Sequence, residues 1–485
     1  MGVGRKGTAA RKGARMREQV AKAATHCRDM AKHAAAVPLV FLGVGLYRAW
    51  LATFFRYDAF PGVGVSDYFL FEAAIGVASL ALAFASRSIC PLWANRAARR
   101  ATTVLMTLGA CAVVLGCFVV PSAFLKAAGL IAAGAGLGSL ILMWAEFYGS
   151  INPVRVALYH GMGIFAGEAL KWLFMGLDVE YLVFFSIALP VAGVASAHAA
   201  IRRLARDERP RSRGEEESRV LPWKAIAIMA ACSFAAAFGA LPVQQLALGN
   251  VAGSMAACAF VCIAVLSASR WFNFDTVYQL AFPLFIVAFL FVSPVFAGDS
   301  AFTAASYDAG YTMLTMFMVI VFGNMTYRFG VNAVWACGIE RGIRYGAELC
   351  GWGASSLLDA HAGASEVSLS FAAIALAVAV LFAVVFFSER GFSAQWGIAI
   401  DGEGMAASDE RWLMLRVVEL SRAFDLSPRE GEVLTLMAER KTVSQMEKEL
   451  FVAQGTIKAH ISHIYKKLGV HSRAEVLALF DEECS

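Results

Sequence analysis

Arg202–Arg219, RRLARDERPRSRGEEESR, is the one long polar interruption in a run of apolar segments. Six apolar stretches precede it, near 37–55, 67–86, 101–120, 125–148, 154–175 and 180–200. Six follow it, near 223–248, 250–269, 277–297, 306–327, 331–357 and 366–388. Each is long enough to cross about 30 Å of hydrocarbon as a helix. The chain is 59% hydrophobic and 16% charged, whereas soluble domains sit near about 45–50% and about 25%. The runs are continuous and lack period-2 alternation, which argues against a strand-built barrel. The expected fold is all-α: a twelve-helix polytopic membrane bundle, divided six and six, followed by a small helical domain. The eleventh stretch is the least regular, because it carries Glu340, Arg341, Arg344 and Glu348.

Charge outside the spans sets the expected orientation. Residues 1–36 hold nine Lys/Arg against Glu18 and Asp29. They read as a basic tail, disordered or lying on anionic lipid headgroups, and not as a secretory signal, because the span that follows is full length. With both termini in the cytoplasm, the inner loops receive Arg87, Arg96, Arg99, Arg100, Arg155, the central loop 201–222, Arg270 and Arg328. The outer loops keep little beyond Arg56 and Lys126. This is the positive-inside pattern, and it predicts a multi-pass membrane protein with both termini in the cytoplasm. Trp50, Tyr57, Tyr68, Trp144, Tyr148, Trp223 and Trp271 lie near span ends and read as interfacial anchors. Gly134, Gly136 and Gly138 offer a small-residue face for a neighbouring helix. Pro190, Pro242, Pro283 and Pro294 fall within spans and would kink them.

Ionisable residues at bilayer depth usually face a cavity or a partner. The candidates are Arg48 in span one, Glu72 in span two, His160, Glu168 and Lys171 in span five, and Arg341 and Arg344 in span eleven. At 100° per residue, His160 and Lys171 project about 20° apart and Glu168 lies about 80° from His160. A ligand site or proton relay would use them together, and the four cations would suit an anionic group. The plainer reading pairs Glu168 with Lys171 and Arg344 with Glu348 inside their own helices, with Arg341 snorkelling to the edge. Ten cysteines show no metal spacing. Cys258 and Cys262 read as small core residues. No metal, cofactor or disulfide is expected.

Residues 389–424 read as a linker and a connecting helix from about Glu410 to Phe424, with Trp412, Leu413, Leu415, Val417, Val418 and Leu420 on its apolar side. Residues 425–485 then carry clear helix punctuation. Ser427-Pro428-Arg429-Glu430 is a capping box with Pro at the first helical position. Thr442–Gln445 and Ser472–Glu475 repeat the box, and Gly469 ends the helix from about Gln454 to Leu468. In that helix Ile457, Ile461, Ile464 and Leu468 form one stripe, which must be core. Gly455, Lys458, Ala459, Ser462 and Lys466 form the opposite stripe, the face a recognition helix presents to the major groove.

Leu426–Leu479 resembles the LuxR/FixJ-type helix-turn-helix of bacterial transcription regulators. The residues that carry the likeness are Ser427-Pro428-Arg429-Glu430, Glu432-Val433-Leu434, Glu449-Leu450-Phe451, Thr456-Ile457-Lys458 with His460, and Lys467-Leu468-Gly469-Val470 with Ser472-Arg473. The resemblance implies a four-helix domain that binds double-stranded DNA, with RNA polymerase as a further partner. It implies base-edge contacts from Lys458, Ala459 and Ser462 and phosphate contacts from Thr456, Lys466 and Lys467. It also implies a homodimer on DNA, held through Val476, Leu479 and Phe480. Three positions depart from the family pattern: Arg440, Glu447 and Ala453. Residues 427–485 carry eight Lys/Arg and nine Asp/Glu, about −1, whereas DNA readers are usually basic.

The spans resemble the major facilitator superfamily in their 6+6 division. Asn95-Arg96-Ala97-Ala98-Arg99-Arg100 echoes that family's loop motif, with Asn95 in place of Asp and Ala98 in place of Gly. The domains expected are thus 1–36, 37–388, 389–424 and 425–485. The function expected is a membrane-embedded one-component transcription regulator that senses a small molecule or membrane signal. The alternative is a secondary transporter with a fused DNA-binding tail. No nucleophile motif or phosphate loop suggests an enzyme.

Overall fold

The structure is a computed structural model. It describes residues 37–55, 60–204, 208–210, 221–238, 249–266, 300–362, 374, 416–417, 420–421, 423–439, 441–450 and 452–481. Among these residues every long element is a helix. Ten helices form the first group: α1 Val44–Phe54, α2 Val65–Ile89, α3 Arg96–Val114, α4 Ala123–Tyr148, α5 Pro153–Phe174, α6 Val179–Arg203, α7 Trp223–Phe238, α8 Gly249–Leu266, α9 Ser300–Phe329 and α10 Ala333–Ala362. They overlap the first eight apolar stretches, the tenth and the eleventh, with residues 239–248 of the seventh and 267–269 of the eighth outside the described residues. The ninth span, 277–297, lies outside the described residues, as does the twelfth apart from residue 374.

Among the described residues, five helical stretches are long and apolar enough to cross a membrane: Val65–Ile89, Arg96–Val119, Ala123–Tyr148, Val179–Arg203 and Asp308–Tyr327. Ala225–Phe238 and Val251–Leu266 are apolar but shorter. Span one is broken: a 3-10 turn, Leu39–Leu42, follows Pro38 before α1 begins. Span eleven, for all its charge, is one 30-residue helix. Its ionic groups are buried against other helices, so it does not need an apolar surface all round.

Helix starts are set by polar side chains. Asn95 caps α3 by accepting from the amides of Ala97 (3.0 Å) and Ala98 (3.2 Å). Ser122 caps α4, and Asn152 caps α5 just before Pro153. The α2–α3 loop is held from below by Glu146, whose two carboxylate oxygens accept from the amides of Leu92 (2.7 Å) and Trp93 (2.9 Å). Pro190 sits inside a continuous α6. Pro242, Pro283 and Pro294 lie outside the described residues.

The small-residue face of α4 serves two neighbours. A Cβ at Gly134 would stand 2.5 Å from the Phe71 carbonyl oxygen on α2, and one at Gly136 would stand 2.9 Å from the Met106 amide on α3. The main helix pairs are α3 with α4, α2 with α4 and α10, α7 with α10, α8 with α9 and α5, and α1 with α5 and α6. The aromatic anchors divide. Trp223 is exposed, as an interfacial residue would be. Trp50, Trp144 and Tyr148 are buried core residues instead, and Trp50 donates to the Ser186 carbonyl at 2.7 Å. Sequence position near a span end did not reveal which side of the helix faced the bundle. Tyr57 and Trp271 lie outside the described residues.

A separate apolar core lies near the C-terminus. It is built by α11 Pro428–Ala438, α12 Val443–Leu450, α13 Gln454–Leu468 and α14 Arg473–Asp481. Val417 and Leu420, from the expected connecting helix, belong to the same core.

Candidate nucleic-acid interface and membrane cavity

The C-terminal unit is fixed by its caps. Ser427 and Glu430 form a reciprocal box: the Ser427 amide donates to Glu430 Oε2 at 2.7 Å, and the Glu430 amide donates to Ser427 Oγ at 3.3 Å. Thr442 and Gln445 repeat it. In the third box the Glu475 amide donates to Ser472 Oγ, and the Glu475 carboxylate takes the amide of His471. Gly469 ends α13 in the left-handed region, φ +69°, where Gly is tolerated without strain.

α13 divides as its periodicity predicts. Ile457, Ile464 and Leu468 are buried, Ile461 is half-buried, and Thr456, Lys458, Ala459, Ser462 and Lys466 are exposed. A helix that packs one stripe on α11 and α12 leaves the other free to enter a groove. Two departures from the family pattern meet here. Ala453 supplies no side-chain cap to α13. Glu447 on α12 accepts from Gln454 Nε2 at 2.8 Å and ties the two helices together where the cap is absent. Arg440 lies outside the described residues. Arg473 reaches back to the carbonyls of Met437 (3.4 Å) and Lys441 (2.6 Å), closing the end of α11.

Lys467 is placed differently from the expectation. Its ammonium donates to Glu430 Oε2 at 2.8 Å and to the Asp425 carbonyl at 2.7 Å, so it fastens α13 to the start of α11 and does not point to a phosphate. Val476 and Phe480 are buried in the domain's own core, which removes them as dimer surface. Leu479 is half-buried, and Ala474 and Ala478 are the exposed apolar positions of α14. The sequence could not show this, because α14 has apolar residues on more than one side.

Burial alone would raise the Glu430 carboxyl, but hydrogen bonds from Lys467 and Ser427 outweigh it and hold the group below its ordinary value of 4.5. A depressed folded-state value stabilises the domain above the unfolded value and is lost as pH falls through the folded one. The melting temperature of residues 405–485 should therefore fall as pH drops below about 4.5. Lys467→Met should flatten that fall and cost of order 1 kcal/mol or less at pH 7, since the pair is partly exposed. Melting curves of both proteins across pH 3–7 test this.

In the helical bundle, the candidate ionisable residues converge. A cavity of about 290 Å³ is lined by Arg48, Glu72, His160, Lys171, Arg341 and Arg344, together with Tyr47, Tyr68, Asp308, Tyr311, Tyr345 and Glu348. Glu168 stands behind it, bridging Arg48 (3.0 Å) on α1 and Lys171 (3.4 Å) on α5. Arg344 pairs with Glu348 at 3.1 Å, and Glu348 also accepts from the Tyr311 hydroxyl at 2.6 Å. Arg341 pairs with Glu340 at 3.3 Å. The intrahelical pairs Glu168–Lys171 and Arg344–Glu348 both form, and both stand at a cavity wall. Asp308 on α9 was not singled out from the sequence. It accepts from the Ser254 amide at 2.9 Å and from the Ser254 hydroxyl, which also meets Thr312 at 2.7 Å. Its place in an otherwise apolar span was the signal that could have found it. The four tyrosines carry no such signal, since Tyr is ordinary near span ends. Cys258 and Cys262 are buried, as core residues would be. Among the described residues no group of His, Cys, Asp and Glu could hold a metal.

Comparison with known proteins separates the two parts. Residues 425–480 match the family described as bacterial regulatory proteins, luxR family. Over 52 residues the chain is 38% identical to the spore germination protein GerE of Bacillus subtilis (strain 168), covering 11% of this chain and 70% of that protein. Over 62 residues it is 39% identical to a probable HTH-type transcriptional regulator, GfsR, of Streptomyces halstedii, covering 13% of this chain. The chain spans 26% of the length of GfsR. Among solved structures, the E. coli fucose:proton symporter FucP aligns at 12% identity with a TM-score of 0.42, over 73% of this chain and 97% of that one.

Proposed function

Because this chain belongs, through its C-terminal domain, to the luxR family of bacterial regulatory proteins, we propose that it is a membrane-embedded one-component transcription regulator. The observation that carries this reading is the exposed Lys458–Ala459–Ser462 face of α13, on a chain whose described residues also hold five helices long and apolar enough to cross a membrane. Residues 37–388 form the sensing part, and 425–485 read double-stranded DNA. Lys458 donates to guanine acceptors, and Thr456 and Lys466 meet phosphates. A near-neutral domain binds weakly alone, so two copies act together on DNA. Both termini face the cytoplasm of a bacterial cell, where RNA polymerase is also within reach.

A 6+6 arrangement of the bundle is supported by its helix pairs. Shifting each span by six converts the pairing of spans two and eleven into that of eight and five. It likewise converts one with five into seven with eleven, and two with four into eight with ten. All six pairs occur. A ligand in the cavity would favour one packing of the halves, and the bias would pass through 389–424 to the reader.

Lys458→Ala should weaken specific DNA binding by residues 405–485 about tenfold or more, since a bidentate base contact discriminates by about 1–3 kcal/mol. Gel shifts at fixed salt measure it. Unchanged binding would remove the assigned reading face. The coupling is tested by chromatin occupancy of the full-length protein against that of a tail severed from the membrane. A severed tail that still answers to ligand would overturn it. The cavity also favours a second reading, a secondary transporter with a regulatory tail. Substrate accumulation in proteoliposomes, lost in Lys171→Met, would support that instead.

A further inference from the structure

The charges around the bundle cavity do not balance, and the imbalance has a sign. On the α1, α5 and α9 side, Arg48 and Lys171 stand with Glu168 and Asp308, two cations to two acids. On the α2 and α10 side, Arg341 is taken by Glu340 and Arg344 by Glu348. That leaves Glu72. It is 6% exposed, it lines the cavity, and among the described residues its Oε2 has no hydrogen-bond partner. The predicted spans outside the described residues, 277–297 and 366–388, contain no Lys or Arg to supply the missing charge. The cation that acts on it, Arg344, is already paired with Glu348, and a buried carboxylate without a counter-charge of its own is costly.

A second observation concerns the walls. The guanidinium of Arg344 lies over the rings of Tyr311 (5.2 Å) and Tyr345 (5.1 Å), so the aromatic faces beside Glu72 already hold positive charge. Aromatic rings around a carboxylate form the usual setting for an ammonium ion. The four cations, which suggested an anionic ligand in the sequence, are each engaged by acids of the protein itself.

We infer that the cavity binds a small organic ammonium ion, its nitrogen at Glu72 Oε2 and its body against Tyr68, Tyr311 and Tyr345. This rests on the cavity being the input site of the regulator. The full-length protein in detergent or nanodiscs is titrated with ethylammonium, tetramethylammonium and phenethylammonium chlorides, up to millimolar concentration. Each is matched to a carboxylate of similar size: propionate, pivalate and phenylpropionate. The expected result is a saturable rise in melting temperature with one or more ammonium ions and none with the carboxylates. That rise should disappear in Glu72→Gln. If Glu72→Gln does not fold, the matched series on the native protein still decides.

A rise with carboxylates alone would overturn the ammonium assignment while leaving the cavity as a ligand site. So would an ammonium response that survives in a folded Glu72→Gln. No response to either series would overturn it too. If DNA occupancy in cells were then also indifferent to Glu72→Gln, the cavity would fall as the input site.

Discussion

Glu168→Ala is expected to cost the bundle about 3–5 kcal/mol, the range for removing one partner of a buried ion pair. Glu168 is nearly inaccessible and is shared by Arg48 and Lys171. Its surroundings cannot rearrange to help. α1 and α5 meet so closely that a Cβ at Gly45 would stand 2.3 Å from the Gly163 carbonyl oxygen, which leaves little room for side-chain relocation. Asp308 also lines the cavity, but Ser254 already holds its carboxylate. The measurement is the yield of monodisperse protein after detergent extraction, with its melting temperature. The triple change Arg48→Met, Glu168→Met, Lys171→Met should recover much of the loss, because replacing a buried ionic group with apolar side chains is often neutral. If the single variant melted like the native protein, Glu168 would not be the anchor of this cluster.

The second large effect separates two adjacent residues. Ile457→Ala should destabilise the C-terminal domain by about 2–5 kcal/mol, the usual cost of emptying a buried isoleucine site. Small domains hold about 3–5 kcal/mol in all, so residues 405–485 should lose both the cooperative melting transition and DNA binding. Lys458→Ala, one position on, should weaken specific DNA binding about tenfold or more and keep the melt. Circular dichroism and gel shifts on the same two preparations give the comparison. If both variants melted normally, the burial of Ile457 would not govern the fold.

The helices were legible because their signals are local. Ser427, Thr442 and Ser472 announce three of them by caps, Gly469 ends one, and long apolar runs define the others. The candidate cavity was partly legible, since charge within an apolar run is conspicuous. What the sequence did not give is direction. Trp50 turned inward to Ser186, a residue 136 positions away. Lys467 turned to Glu430, and Val476 and Phe480 turned to their own core. Glu146 was read only as part of a span, yet it clamps a loop more than fifty residues before it. Each depends on a partner brought near by the complete fold. The sign of the cavity's charge has the same origin, for four basic residues in a list look like an anion site until each is seen beside its acid.

Val417 and Leu420 lie in the core of the C-terminal unit, so these residues of the expected connecting helix belong to the reader and not to its leash. On the domain division proposed above, the leash is the stretch between residue 388 and Arg416. Fully extended, at roughly 3.5 Å per residue, it reaches at most about 100 Å. On the proposed reading, the reader searches a thin shell against the membrane face, and a promoter becomes visible to it only when the nucleoid carries that promoter into the shell.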